Sequence, residues 1–267
     1  SNGLMSLEVF ESQGEFSEKH TLLGILDKCK TAMGRRSLRS WLREPSTSID
    51  EINFRLKKVE SYISQECFYD ELKNVYDIAR LSRRMIFGKL MPHEIAQFYN
   101  SLSICSTILK KEDNKIYKKC NEITKKIKNN VDISEALIST DTSFEFFKGD
   151  LKLDTQDLFE DWKNEEKKLL AMKKDYEKIL GKSTRISEKS DSFFLTAPKS
   201  ALEIAQENGV AITKKASEIQ IVDNKWSELS LSCFGKKQKY ILAAQKLWQI
   251  LQEELRNAWG SFLMKVP

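Results

Sequence analysis

Two stretches in the last part of the chain, 153–180 and 236–263, restrict the possible folds more than any other feature. The first contains neither Gly nor Pro, and Leu158, Trp162, Leu169, Met172, Tyr176 and Ile179 fall along one side of a helix. The second repeats Ile241, Ala244, Trp248, Leu251, Leu255, Ala258 and Phe262 at alternating steps of three and four. A 3.5-residue repeat gives a narrow apolar stripe that must face another helix. Each stretch spans about 40 Å at 1.5 Å per residue. The sequence therefore predicts an antiparallel hairpin of two long helices, with Trp248 and Leu251 buried against the Trp162–Tyr176 side.

Between these stretches the apolar period changes to two, the signature of strands. Phe193-Phe194-Leu195 reads as a strand that stops before Pro198. Ser200 to Asn208 reads as a short helix closed by Gly209. Ile219 and Ile221 alternate around Gln220, and Leu229, Leu231 and Cys233 alternate with Ser230 and Ser232, with Asp223-Asn224-Lys225 between the runs as a hairpin turn. Residues 184–235 are thus expected to form a small β module at the tip of the helical hairpin.

The preceding region reads as helix after helix. Thr31 is a candidate N-cap, Leu38, Trp41 and Leu42 share a face, and Pro45 ends that helix. Ser48 and Glu51 have capping-box spacing, and behind them Ile52, Leu56, Val59 and Ile63 form a helical apolar stripe. Pro92 suits a first helical turn ahead of Ile95, Phe98 and Leu102. The expected fold is mainly α: a helical core with the outgoing long helix (4–183), a β-rich insertion (184–235) and the returning helix (236–267).

Catalytic signals are weak. The five cysteines, Cys29, Cys67, Cys105, Cys120 and Cys233, are odd in number and never spaced as C-x-x-C, which argues against a disulfide framework or zinc site and for a reducing, cytoplasmic setting. The two histidines, His20 and His93, lack the spacing of a metal site or a nucleophile–base pair. Gly181-Lys182-Ser183-Thr184 resembles the end of a phosphate loop, but Tyr176 stands where the first glycine belongs. Gly181 reads better as a helix C-cap. No catalytic, metal or cofactor residue is therefore expected in this chain, and no apolar run is long enough for a membrane span. The net charge of +5 is compatible with a polyanionic partner. The lysines of 110–128 are interleaved with Glu112, Asp113 and Glu122, as on a solvated helix face.

A joint pattern runs from Leu7 to Ile95. Leu7-Glu8-Val9-Phe10 is followed by Leu22-Leu23-Gly24-Ile25-Leu26-Asp27, Thr31-Ala32-Met33-Gly34-Arg35-Arg36 and Leu38-Arg39-Ser40-Trp41-Leu42. Pro45, Ile52, Arg55, Val59, Ile78, Arg80, Leu81, Arg84, Gly88, Lys89, Pro92, Glu94 and Ile95 continue it. This pattern resembles the core domain of MutS-type DNA mismatch-repair proteins. The resemblance implies a helical core, lever helices and a clamp of strands that touches duplex DNA, paired with a second subunit. It places the mismatch-reading and connector domains before residue 4, and an ATPase using ATP and Mg after residue 267.

The chain departs from the family where DNA contacts would be read. The usual Gly-Tyr-Tyr strand is replaced by Phe193-Phe194-Leu195, and the threonine–arginine region after it has no clear counterpart. Charge supplies candidates instead: Lys189, Lys199, Lys214, Lys215 and Lys225, with Lys214 and Lys215 expected in the turn before the Ile219–Val222 strand. Two other readings stay open: a MutS paralogue that clamps recombination intermediates without reading mismatches, and a helical scaffold that binds no DNA.

Overall fold

A computed structural model describes residues 7–10, 20–63, 69–109, 114–139, 144–189 and 191–263; Cys67, Lys110, Lys111, Glu112 and Asp113 lie outside them. Among the described residues about 70% are helical, with one small antiparallel sheet, so the fold is mainly α. It divides into two compact units, 1–140 with 252–267, and 141–251.

The first unit contains α1 (Leu22–Leu26), α2 (Ala32–Arg43), α3 (Ile49–Ile63), α4 (Tyr69–Leu72), α5 (Ile78–Ile86), α6 (Pro92–Leu109), α7 (Asn114–Asn130) and α8 (Ile133–Ile138). Thr31 caps α2 as expected, its hydroxyl accepting the Gly34 amide at 3.0 Å. Only half of the predicted capping box forms. The Ser48 hydroxyl accepts the Glu51 amide at 3.4 Å, but the Glu51 carboxylate pairs with Arg55 at 2.7 Å. The stronger charge-assisted bond takes the carboxylate, and the Ser48 amide donates to the Ser46 hydroxyl instead.

The α3 stripe departs from expectation more sharply. No residue of α3 is buried, and Leu56, Val59 and Ile63 are 60%, 54% and 79% exposed. Periodicity makes the stripe, but its side chains stay exposed. The core lies elsewhere, around Met85, Ile95, Phe98, Leu102, Ile123, Ile127, Leu255 and Trp259. The Trp259 indole donates to the Ser82 hydroxyl at 2.7 Å and meets Phe98 edge to face at 5.2 Å. The Gln252 side chain accepts the Leu90 amide at 3.2 Å just past Gly88, whose positive φ of 63° closes α5.

The second unit holds α9 (Gly149–Leu153), α10 (Gln156–Leu180), β1 (Arg185–Lys189), β2 (Ser192–Pro198), a 3-10 turn (Lys199–Ala201), α11 (Leu202–Glu207), β3 (Ile212–Lys214), β4 (Glu218–Ile221) and α12 (Asn224–Leu263) up to Leu251. Gly181 ends α10 in the left-handed region, as expected of a C-cap. Gly209 likewise closes α11, with the Val210 amide reaching back to the Ala205 carbonyl.

The largest correction concerns 224–235, expected as a turn and strand but helical from Asn224 onward. The Leu229–Cys233 alternation misleads because two different needs generate it. The buried positions are Trp226, Ser230 and Cys233, at helical steps of four and three, while Leu231 is 52% exposed. Asp223 does not turn a hairpin; its carbonyl accepts the Ser227 amide at 2.9 Å as the helix begins.

α10 and α12 run antiparallel. Tyr176 faces Trp226 at 6.3 Å, Glu165 pairs with Lys236 at 3.0 Å, and Trp162 stacks on Tyr240 at 5.5 Å. Positions on one helix rise as those on the other fall. The partners differ from the expected seam: Trp248 packs against Phe144, Phe146 and Phe147 at 5.3–6.3 Å, not against the Trp162–Tyr176 side. Ala244, Trp248, Leu251 and Leu255 are buried as anticipated, but Tyr240 and Trp259 replace Ile241 and Ala258. Nearly straight helices drift about 20° per heptad from a 3.5 repeat, which moves the ends of the stripe by one residue.

Glu165 is 8% exposed between Lys236 and Lys168, both at 3.0 Å, and their hydrogen bonds hold its carboxyl below the ordinary value of 4.5. The same contact raises the Lys236 ammonium. A lowered carboxyl stabilises the fold above its unfolded value and loses that contribution as pH falls through the folded one. Glu165→Gln is expected to cost about 1 kcal/mol at neutral pH, since both lysines keep solvent contact. The difference in urea stability between variant and parent should then shrink as pH falls from 7 to about 3.

Candidate nucleic-acid interface

The sheet has the order β1-β2-β4-β3, antiparallel throughout. Leu195, Ala197, Ile219 and Ile221 lie on one face and are buried, as are Ala201 and Ala205 just beyond β2. The other face carries a row across all four strands: Arg185, Thr196, Gln220 and Thr213. Arg185 and Thr213 are exposed, Gln220 and the neighbouring Phe194 are half-buried, and Thr196 is buried.

The sheet is fixed to α12 through the backbone of Phe193. The Ser230 hydroxyl accepts the Phe193 amide at 2.7 Å and donates to its carbonyl at 2.8 Å, and the Trp226 indole donates to that carbonyl at 2.9 Å. The Phe193 ring meets Phe234 at 6.0 Å, and Glu188 pairs with Lys237 at 2.5 Å. These contacts advance along α12 from Trp226 to Lys237. Glu188 is the register partner of Phe193, so these contacts seat the hairpin end of β1 and β2 on α12, and the opposite strand end, at Arg185 and Pro198, is the end farther from them. Tyr176 donates to Asp223 at the start of α12, and burial, with that bond, pushes its phenol well up.

Three of the five candidate lysines come together at that farther end. Lys214 is opposite Ile219, the Lys215 amide bonds the Glu218 carbonyl at 3.0 Å, and Lys199 follows Pro198, which is opposite Glu218. Lys215 stands in the turn before β4, whereas Lys214, expected in that turn too, is the last residue of β3. Arg185 begins β1 in the row next to this end and was missed, although the alternation Arg185, Ser187, Lys189 would have revealed it. Lys189 is not part of the cluster. It ends β1 roughly 13 Å away at 3.3 Å per residue, with its ammonium 6.0 Å from the Phe194 ring centre. Lys225 is exposed in the first turn of α12, after β4 has run away from the cluster. Glu218 is the acid nearest the cluster in the strand register, so basic charge is in excess there.

The sequence model of MutS domain III matches residues 2–263. The chain belongs to the MutS domain III family. Similar relatives include the DNA mismatch repair protein MutS of Lactobacillus acidophilus, 34% identical over 139 residues, which are 51% of this chain and 16% of the relative. MutS of Oceanobacillus iheyensis is 40% identical over 102 residues, 37% of this chain and 12% of that protein. The DNA mismatch repair protein MSH3 of Mycosarcoma maydis is 38% identical over 108 residues, 39% and 9% of the two lengths. The chain therefore spans a small part of the relatives it matches. As a MutS domain III, it combines helices and a small sheet without a described group of three or more His, Cys, Asp or Glu able to hold a metal. No helix among the described residues is long and apolar enough to cross a membrane.

Ser230 is the checkable link between helix and sheet. Replacing it by Ala leaves the Phe193 amide without its acceptor, at a cost of about 1–3 kcal/mol. Hydrogen exchange at the Phe193 amide should accelerate by at least about five-fold in Ser230→Ala, while helical content is unchanged.

Proposed function

We propose that this domain contacts the phosphate backbone of duplex DNA through the end of its sheet at Arg185 and Pro198, within a larger mismatch-repair protein. The observation that carries the reading is the convergence of Arg185, Lys199, Lys214 and Lys215 at the strand end farther from the α12 contacts. In this reading the sheet is the family's clamp, and α10 with α12 is the lever that carries it. The contact is electrostatic: lysines and hydroxyls bond phosphate oxygens without reading sequence. The row of Arg185, Thr196, Gln220 and Thr213 offers a few donors beside the charges but no bidentate base-reading set, so mismatch discrimination is assigned elsewhere in the whole protein. The resemblance set out above puts ATP, Mg, ATP hydrolysis and the second subunit in the full-length protein too. Gly181 caps α10 and is followed by β1, whereas a phosphate loop follows a strand and opens a helix. On this reading the chain itself is not an enzyme, and it works in the cytoplasm.

Each phosphate contact contributes about 0.9 to the slope of log affinity against log salt. Replacing Arg185, Lys199, Lys214 and Lys215 together by Gln should lower that slope by about 3.6 and weaken duplex binding at low salt. Paired and mismatched duplexes should respond alike. An unchanged slope removes the sheet end from the interface.

A further inference from the structure

The chain's net charge of +5 equals the charge of α7 alone. That helix, Asn114–Asn130, holds six lysines (Lys115, Lys118, Lys119, Lys125, Lys126 and Lys128) against one acid, Glu122. The remainder of the chain is balanced. Interleaved acids suggested an ordinary solvated face, but the folded helix sorts its charges by side. Cys120, Ile123, Thr124 and Ile127 are buried. On one flank Lys119 holds Glu122 at 2.9 Å, and Lys126 pairs with Glu254 of α12 at 2.9 Å. On the other flank Lys118, Asn121, Lys125 and Lys128 follow at steps of three, four and three. Those three lysines are exposed and have no ion pair among the described residues.

We propose that this stripe is a second contact surface for the phosphate backbone of duplex DNA. The proposal rests on the reading that duplex DNA is the partner, but not on the strand end being the contact. The stripe is straight and about 15 Å long at 1.5 Å per residue. Over that length a duplex presents roughly nine phosphate charges. Lysine ammonium groups on flexible stems meet phosphates as point charges without demanding a fixed geometry, and Asn121 adds an amide donor between them. The stripe has no apolar member, so it lacks the anchor on which a protein interface would rely. This favours a phosphate chain over an acidic protein segment.

The test uses the whole chain and a labelled duplex, titrated across about 50–200 mM salt. Lys118→Gln, Lys125→Gln and Lys128→Gln combined should lower the salt slope by about 2.7, and Lys125→Gln alone by about 0.9. The triple Lys→Arg variant should keep the parent slope, and circular dichroism should be the same for all. The α7 effect should persist when the four sheet-end residues are also neutralised. An unchanged slope in the triple Gln variant overturns the proposal while leaving the sheet-end reading intact. Loss of binding to a polyglutamate peptide, with duplex binding unchanged, also overturns it and assigns the stripe to an acidic protein. Failure of the parent chain to bind duplex DNA at low salt overturns both readings.

Discussion

The second unit depends on the aromatic contacts that hold α10 beside α12. Trp162 stacks on Tyr240, Phe159 meets the same Tyr240 at 5.3 Å, and Tyr176 approaches Trp226 edge on at 6.3 Å. Such pairs contribute about 0.5–1.5 kcal/mol each beyond the area they bury. Against them stands the buried Trp162 indole N–H, which has no hydrogen-bond partner among the described residues and costs about 1–3 kcal/mol. α12 spans about 60 Å at 1.5 Å per residue, and its apolar stripe would be exposed without such partners.

The placement of the sheet follows from the same pairing. Once α10 and α12 lie antiparallel, the chain leaving Leu180 and the chain entering Asn224 are brought together, and the four strands fill the connection. Trp226 and Ser230 then fix Phe193 by three hydrogen bonds to one backbone unit. Because β1 and β2 are held by the end nearest Phe193, the basic end near Arg185 and Lys214 is the one farther from that attachment. The candidate contact is a consequence of strand direction, not of any single unusual residue.

Much of this was legible in the sequence where local chemistry decides the outcome. Thr31 as a cap, Gly181 and Gly209 as helix stops and the Phe193 strand follow from donors, acceptors and backbone freedom within a few residues. Outcomes set by distant partners were not legible. Ser230 is polar yet buried because Phe193, far away in sequence, supplies its partners, so a helical segment looked like a strand. Glu51 had two possible donors, and only the fold shows that Arg55 wins. Lys189 and Lys199 looked equivalent as lysines of one module; register places them at opposite strand ends. The α7 lysines were visible as a run, but their sorting required the buried side to be known.

A distance-sensitive probe tests which end of the strands meets DNA without relying on affinity. A photo-crosslinking amino acid placed at Lys215 or, separately, at Lys189 would be irradiated with the chain bound to a labelled duplex at low salt. Strong DNA adducts are expected from position 215 and weak or absent ones from position 189. Adducts of equal yield, or a yield favouring position 189, would contradict contact through the strand end at Lys215.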